Sequence, residues 1–198
     1  MEDRRVRKTK KNLKSTFTAM LDTMPFEQIS VTELCRQADT SRITFYTHYS
    51  DKYALVDDIF QDMLEEGTAL YYTMKEKNNS DNDPVQNYCN MLQAILDLYY
   101  SRRDFFRHVN PERNPYLAFS FYNHVLRETE SRTRKEQKLL HLNYSPKQVT
   151  VFICYGLAGF VNESQKEQIP FPVIKEQAEK LLRGLLTSEV LVHDQPEI

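Results

Sequence analysis

Residues 30–52, SVTELCRQADTSRITFYTHYSDK, constrain this chain more than any other stretch. They spell two short helices joined by a tight turn, with a third helix starting at once. Ser30 is a good N-cap, because its hydroxyl can accept a hydrogen bond from one of the first free backbone N–H groups. Glu33, three residues on, completes a capping box, and Ile29 and Leu34 stand at the two positions of a hydrophobic staple. Val31, Leu34, Cys35 and Ala38 form the inner edge of the first helix. Asp39-Thr40 breaks it, and Ser41 caps a second helix running to about Tyr49. Phe45 and Tyr49 are four apart and share its inner face. The rest of that helix displays Arg42, Thr44, Tyr46, Thr47 and His48. An outer face of this kind fits the major groove, where guanidinium groups, hydroxyls and methyls read base edges.

Helical periodicity extends over the remainder. Val6, Leu13, Phe17, Met20, Leu21 and Met24 mark an amphipathic first helix, ended by Pro25. A long helix from about Asp51 to Lys77 carries Leu55, Ile59, Phe60, Met63, Leu64, Leu70 and Met74, with Gly67 as a weak point. NNSDND, residues 78–83, reads as a loop. Pro84 opens the next helix, SRRD at 101–104 interrupts it, and a short helix follows through Phe105 and Phe106. Two Asn-Pro pairs, at 110–111 and 114–115, bracket a turn. A long helix then spans Tyr116 to about His141. Two last helices cover about 146–167 and 172–187. No strand is required. The fold class is all-α: an N-terminal three-helix helix-turn-helix domain over 1–50, then a helical domain of residues 51–188, about nine helices in total. A flexible tail over 189–198 ends the chain.

Charge is distributed unevenly. Residues 1–52 hold 10 Lys or Arg against 7 Asp or Glu, and the remainder holds 16 against 21. Arg4, Arg5, Arg7, Lys8, Lys10 and Lys11 make a basic arm suited to phosphates. Cys35, Cys89 and Cys154 are odd in number and far apart, fitting neither a disulfide framework nor a metal clip. A reducing cytoplasm is the expected compartment. There is no secretion-signal pattern and no apolar run long enough to span a bilayer. No His-x-x-x-His, Cys-x-x-Cys or Gly-rich phosphate loop is present, so neither an enzyme nor a cofactor is expected.

The pattern Ser41-x-x-Thr44-Phe45-Tyr46-x-His48-Tyr49-x-x-Lys52-x-x-Leu55 resembles the DNA-binding domain of the tetracycline-repressor (TetR) family. The resemblance is specific over residues 9–60 and loose beyond. It implies that Arg42, Ile43, Thr44, Tyr46 and Thr47 face the major groove, and that Ser30, Thr32 and His48 contact phosphate. It also places the Lys52 ammonium near a phosphate at the N-terminus of the next helix. Phe45 and Tyr49 would be core. The family usually has Gly-Val in the turn, where this chain has Asp39-Thr40. Aspartate tolerates a left-handed backbone, although a carboxylate there costs some affinity for DNA.

The same resemblance implies a homodimer built on the last two helices. Phe152, Gly156, Gly159, Phe160, Leu181, Leu182 and Leu185 are the expected interface. It further implies an effector pocket in the aromatic middle of the chain, with Met63, Met91, Tyr99, His108, Phe119, Tyr122, Asn123 and Tyr155 as candidate contacts. The expectation is therefore a regulator, a repressor, that binds a palindromic operator in double-stranded DNA and is modulated by a small-molecule effector. The alternative is a coregulator of the same fold that has lost DNA binding and works through a protein partner.

Overall fold

The computed structural model describes residues 4–192, without the side chains of residues 135–139. The described residues form α1 (Arg4–Thr23), a 3-10 turn (Phe26–Gln28), α2 (Val31–Gln37), α3 (Arg42–His48) and α4 (Lys52–Asn78). These are followed by α5 (Pro84–Ser101), α6 (Arg103–Phe106), α7 (Pro115–Leu140), α8 (Pro146–Lys166) and α9 (Phe171–Leu186). The only β-pairing among them is an isolated bridge, Leu142 to Val192. The all-α expectation holds. Residues 1–3 lie outside the described residues.

The chain divides into two compact units. One unit joins residues 4–63 to Arg102–Tyr122; the other joins Leu64–Ser101 to residues 123–192. In the first unit, Phe17, Phe26, Phe45 and Phe60 are fully buried together with Leu13, Leu21, Leu34, Leu55 and Leu117. The segment 102–122 belongs here because its polar groups complete this unit. Asn114, fully buried, accepts a hydrogen bond from the backbone N–H of Phe26 (2.7 Å) and donates to the carbonyl of His108 (2.9 Å). Tyr116 stacks on Phe26 at 5.0 Å.

In the second unit, α5, α8 and α9 enclose Leu92, Leu96, Val149, Ile153, Leu157, Ile174, Ala178, Leu182 and Leu186. Ser145 and Gln148 form a reciprocal capping box that starts α8. Helix α4 passes through Gly67 without a break, and a Cβ there would meet Leu98 at an ordinary 3.5 Å. The α4–α5 connection is not a plain polar loop. Asn78 and Asn90 pair their amides reciprocally at 3.0 and 2.8 Å, and buried Asn79 donates to buried Asn87 at 2.9 Å. The first residues of the expected tail are likewise built in. Leu191 is buried, and its carbonyl accepts from the Asn143 N–H at 2.9 Å. Residues 193–198 of that tail lie outside the described residues.

Candidate nucleic-acid interface

The local chemistry of residues 30–49 folds as their composition requires. The Ser30 hydroxyl accepts from the Glu33 N–H (3.1 Å), and the Ser41 hydroxyl accepts from the Thr44 N–H (3.0 Å). The second half of the expected capping box is missing, because Arg36 and Gln37 compete for the Glu33 carboxylate. Arg36 donates to both its oxygens, at 2.9 and 2.6 Å, and Gln37 to one at 2.8 Å. Hydrogen bonds from Arg36 and then Gln37 pull the Glu33 carboxyl down to about 2. Ile29 and Leu34, the staple residues, are both buried.

The turn is left-handed at Asp39, with φ of 45°. Thr40 N–H closes it on the Cys35 carbonyl at 3.0 Å. Asn12 of α1 donates to the Ala38 carbonyl (2.6 Å) and so ties the turn to the first helix. Asn12 could not be singled out from the sequence, since nothing local to it marks a partner 26 positions on.

Helix α3 then separates two faces. Phe45 is fully buried, whereas Ile43 is 83% exposed. Arg42, Tyr46 and Thr47 are exposed with it. The Arg42 guanidinium lies 5.9 Å from the Tyr46 ring centre. Thr44 shares a 2.8 Å hydrogen bond with the Ser41 hydroxyl, and Thr47 donates to the Ile43 carbonyl at 2.9 Å. Ser30 and Thr32 are exposed at the start of α2, and His48 is half-buried.

Lys52 is engaged within the unit. Its ammonium donates to the carbonyls of Phe26 (2.9 Å), Glu27 (3.0 Å) and Ile29 (2.9 Å) and lies 4.4 Å from the Phe26 ring centre. An ammonium has three donors, and all three are spent on the 3-10 turn and the residue preceding the Ser30 cap. Burial pushes this ammonium's pKa below the usual lysine range, against the opposing pull of Glu27. The basic arm is also partly used within the unit. Lys14 pairs with Asp58 (2.9 Å) and Asp62 (2.5 Å), while Lys10 lies 3.8 Å from Asp58. Arg4, Arg7, Lys8 and Lys11 are exposed.

This helical order recurs in solved structures. A protein from Syntrophomonas wolfei assigned to the TetR family of transcriptional regulators aligns over 94% of this chain and 99% of its own, with a TM-score of 0.73 at 10% identity. A TetR-family transcription regulator from Shewanella sp. PV-4 aligns over 94% and 99%, with a TM-score of 0.60 at 15% identity. The regulatory protein TetR from Rhodobacter sphaeroides aligns over 88% and 96%, with a TM-score of 0.53 at 13% identity. The chain has the TetR fold. No protein-family model matches the sequence, and no curated protein matches it.

Within the TetR fold, the expected effector residues fall in both units. Met63, His108, Phe119 and Tyr122 belong to the first, and Met91, Tyr99, Asn123 and Tyr155 to the second. His108 is buried with Nε2 2.8 Å from Asp22, which Arg107 also engages, while among the described residues its Nδ1 has no hydrogen-bond partner. Phe119 and Tyr155 are 66% and 52% exposed. Tyr99 donates to Gln165 at 3.2 Å. Met63 lines a cleft of about 800 Å³ edged by charged side chains of α1, α4 and α6. Met91 lines a smaller cavity in the second unit.

The expected interface residues also divide. Phe152, Gly156 and Gly159 are exposed on one stripe of α8 with Tyr155. Leu181 is exposed on α9, next to Gly184 in the helical repeat. A Cβ at Gly156, Gly159 or Gly184 would meet nothing within 4 Å. Leu182, by contrast, is 1% exposed and belongs to the core, because it sits four positions from both Ala178 and Leu186 on the inward face. Phe160 and Leu185 are partly buried against that same core.

Proposed function

We propose that this protein is a DNA-binding transcriptional regulator, a repressor, that reads a roughly palindromic operator as a homodimer and responds to a small molecule. The observation that carries the reading is Ile43. The side chain of an isoleucine 83% exposed on a seven-residue helix adds little to the core. Flanked by Arg42, Tyr46 and Thr47, it has the apolar character suited to a thymine methyl, with hydrogen-bonding groups on either side. The exposed stripes of α8 and α9, with three glycines open to close approach, support a two-fold interface. Two heads so joined would address half-sites about one helical turn apart. A ligand in the body would oppose DNA by a coupling of roughly 1–3 kcal/mol, reciprocal by linkage.

A second reading is a coregulator that does not bind DNA. The exposed Asp39 carboxylate in the turn and the inward commitment of Lys52 favour it. Selection of random duplex DNA by the purified protein at near-physiological salt separates the two. A two-fold symmetric motif with half-sites roughly 10 base pairs apart is expected. Enrichment of no motif, from folded dimeric protein, would overturn the regulator reading in favour of the coregulator.

A further inference from the structure

The second unit contains a cavity of about 180 Å³ between α4, α5 and α7. Its walls are aromatic: buried Tyr71 and exposed Tyr72 from α4 and buried Tyr88 from α5, with the half-buried Met91 beside them. Its charges are of one sign. Lys75 and Arg132 line it, and no carboxylate does among the described residues. The Arg132 guanidinium carbon lies 4.4 Å from the Tyr71 ring centre and 5.8 Å from that of Tyr72. Glu128 holds it there through Nε at 2.9 Å and a terminal nitrogen at 2.8 Å, which uses two of the five donors that guanidinium carries. Lys75 donates to the amide oxygen of Asn82 at 2.5 Å. Among the described residues, its partner is neutral, so its charge is not cancelled by an ion pair. The asparagine network of the α4–α5 connection fixes this polar end. Asn82 also accepts from Asn87 at 3.3 Å, and Asn87 accepts from Tyr71 at 3.2 Å.

We infer that this cavity is a binding site for a small aromatic carboxylate. The Lys75 ammonium, with a neutral partner, and the Arg132 donors that Glu128 does not use select an anion. Ring faces and a polarizable methionine select a flat apolar body. The volume lies below the roughly 300–1,000 Å³ of drug-sized sites, so the occupant has about one ring. The site is not the one suggested by the resemblance, with which it shares Met91 alone. The assignment rests on the regulator reading only for its consequence, effector action; binding itself stands apart from DNA.

Calorimetric titration of the full chain with benzoate, benzamide and acetate tests it. Benzoate is expected to bind saturably, one per chain. Benzamide, which keeps the ring, and acetate, which keeps the charge, should each be weaker by roughly tenfold or more, the worth of a charge-assisted hydrogen bond or of a buried ring. Lys75→Gln should weaken benzoate by roughly tenfold at unchanged melting temperature. Arg132→Gln should do the same or more, and Lys75→Gln decides the matter if losing Arg132 disturbs the fold. No saturation by benzoate, equal binding of benzamide, or benzoate binding indifferent to Lys75→Gln would each overturn the assignment while leaving the DNA selection untouched. Failure of that selection would in turn leave this titration untouched.

Discussion

Lys52 shows what one side chain decides. Its ammonium gathers three carbonyls from the 3-10 turn and the start of α2, which no other side-chain type can do from a single atom. Lys52→Met keeps the apolar stem over Phe26 and deletes the donors, so it should cost about 2 kcal/mol, in the range of a hydrogen bond to a charged group. Lys52→Arg should recover only part of this, because the guanidinium fork cannot converge on three acceptors. Urea denaturation measures both. A purely phosphate-binding lysine would instead leave stability unchanged and lower DNA affinity alone. Asp58 is the counterpart on the acidic side. Burial pushes its carboxyl up, but the Tyr49 hydroxyl at 2.7 Å, then Lys14 and Lys10, outweigh that and hold it below the usual carboxylate range. A lowered folded-state value means its contribution is present above the unfolded carboxylate range, about 3.9, and is lost as pH falls through the folded value. Asp58→Asn should therefore be less stable than wild type at pH 7, with the gap closing as the medium is acidified below about pH 4. A gap that stays constant with pH would show that the charge of Asp58 is irrelevant.

Helix α3 makes the argument at the scale of the element, because neighbouring residues on it should respond oppositely. Phe45→Ala removes a fully buried ring and should cost roughly 3–5 kcal/mol. Ile43→Ala, two positions earlier, should move stability by less than about 0.5 kcal/mol. Its effect belongs in DNA binding, where loss of an apolar base contact should weaken a selected site by roughly tenfold, about 1.4 kcal/mol. Thermal melts and fluorescence anisotropy on the same preparations separate the two. Equal destabilisation by both variants would mean that α3 is simply a core helix. The two faces of α3 were legible in the sequence because caps and periodicity are local properties. Ser30, Ser41 and the left-handed Asp39 all behave as their chemistry dictates. The 3-10 turn at Phe26–Gln28 was not legible, since its stabilising partners, Lys52 and Asn114, are 25 to 88 residues away. The Glu33 misreading has a similar cause, at shorter range: Arg36 and Gln37 sit on the same face and reach its carboxylate first.

At the scale of the whole molecule, helix count and order could be read from periodicity, but the partition into units could not. That residues 102–122 complete the N-terminal unit depends on Asn114, His108 and Tyr116 finding partners on α1, the 3-10 turn and α4, and no sequence spacing announces such pairings. For the same reason the sequence placed Leu182 on a free face and overlooked the glycine at 184. The exposed glycines now allow the proposed homodimer to be tested through a reversal of sign. Gly156 and Gly159 lie inside α8 with open space where a Cβ would stand. In an isolated subunit, alanine at either position should stabilise the helix by roughly 0.5–1 kcal/mol, because glycine loses more backbone entropy on folding. If α8 packs closely against its two-fold mate, the same methyls stand in the interface and must hold the helices apart. The double variant Gly156→Ala/Gly159→Ala should then dissociate at higher protein concentration than wild type while its monomer melts at a higher temperature. Analytical ultracentrifugation over a dilution series gives the first quantity, and melts performed below the dissociation concentration give the second. A variant that gains stability and keeps wild-type dimerisation would show that these glycines face solvent in the assembly, and would move the two-fold contact off this stripe of α8.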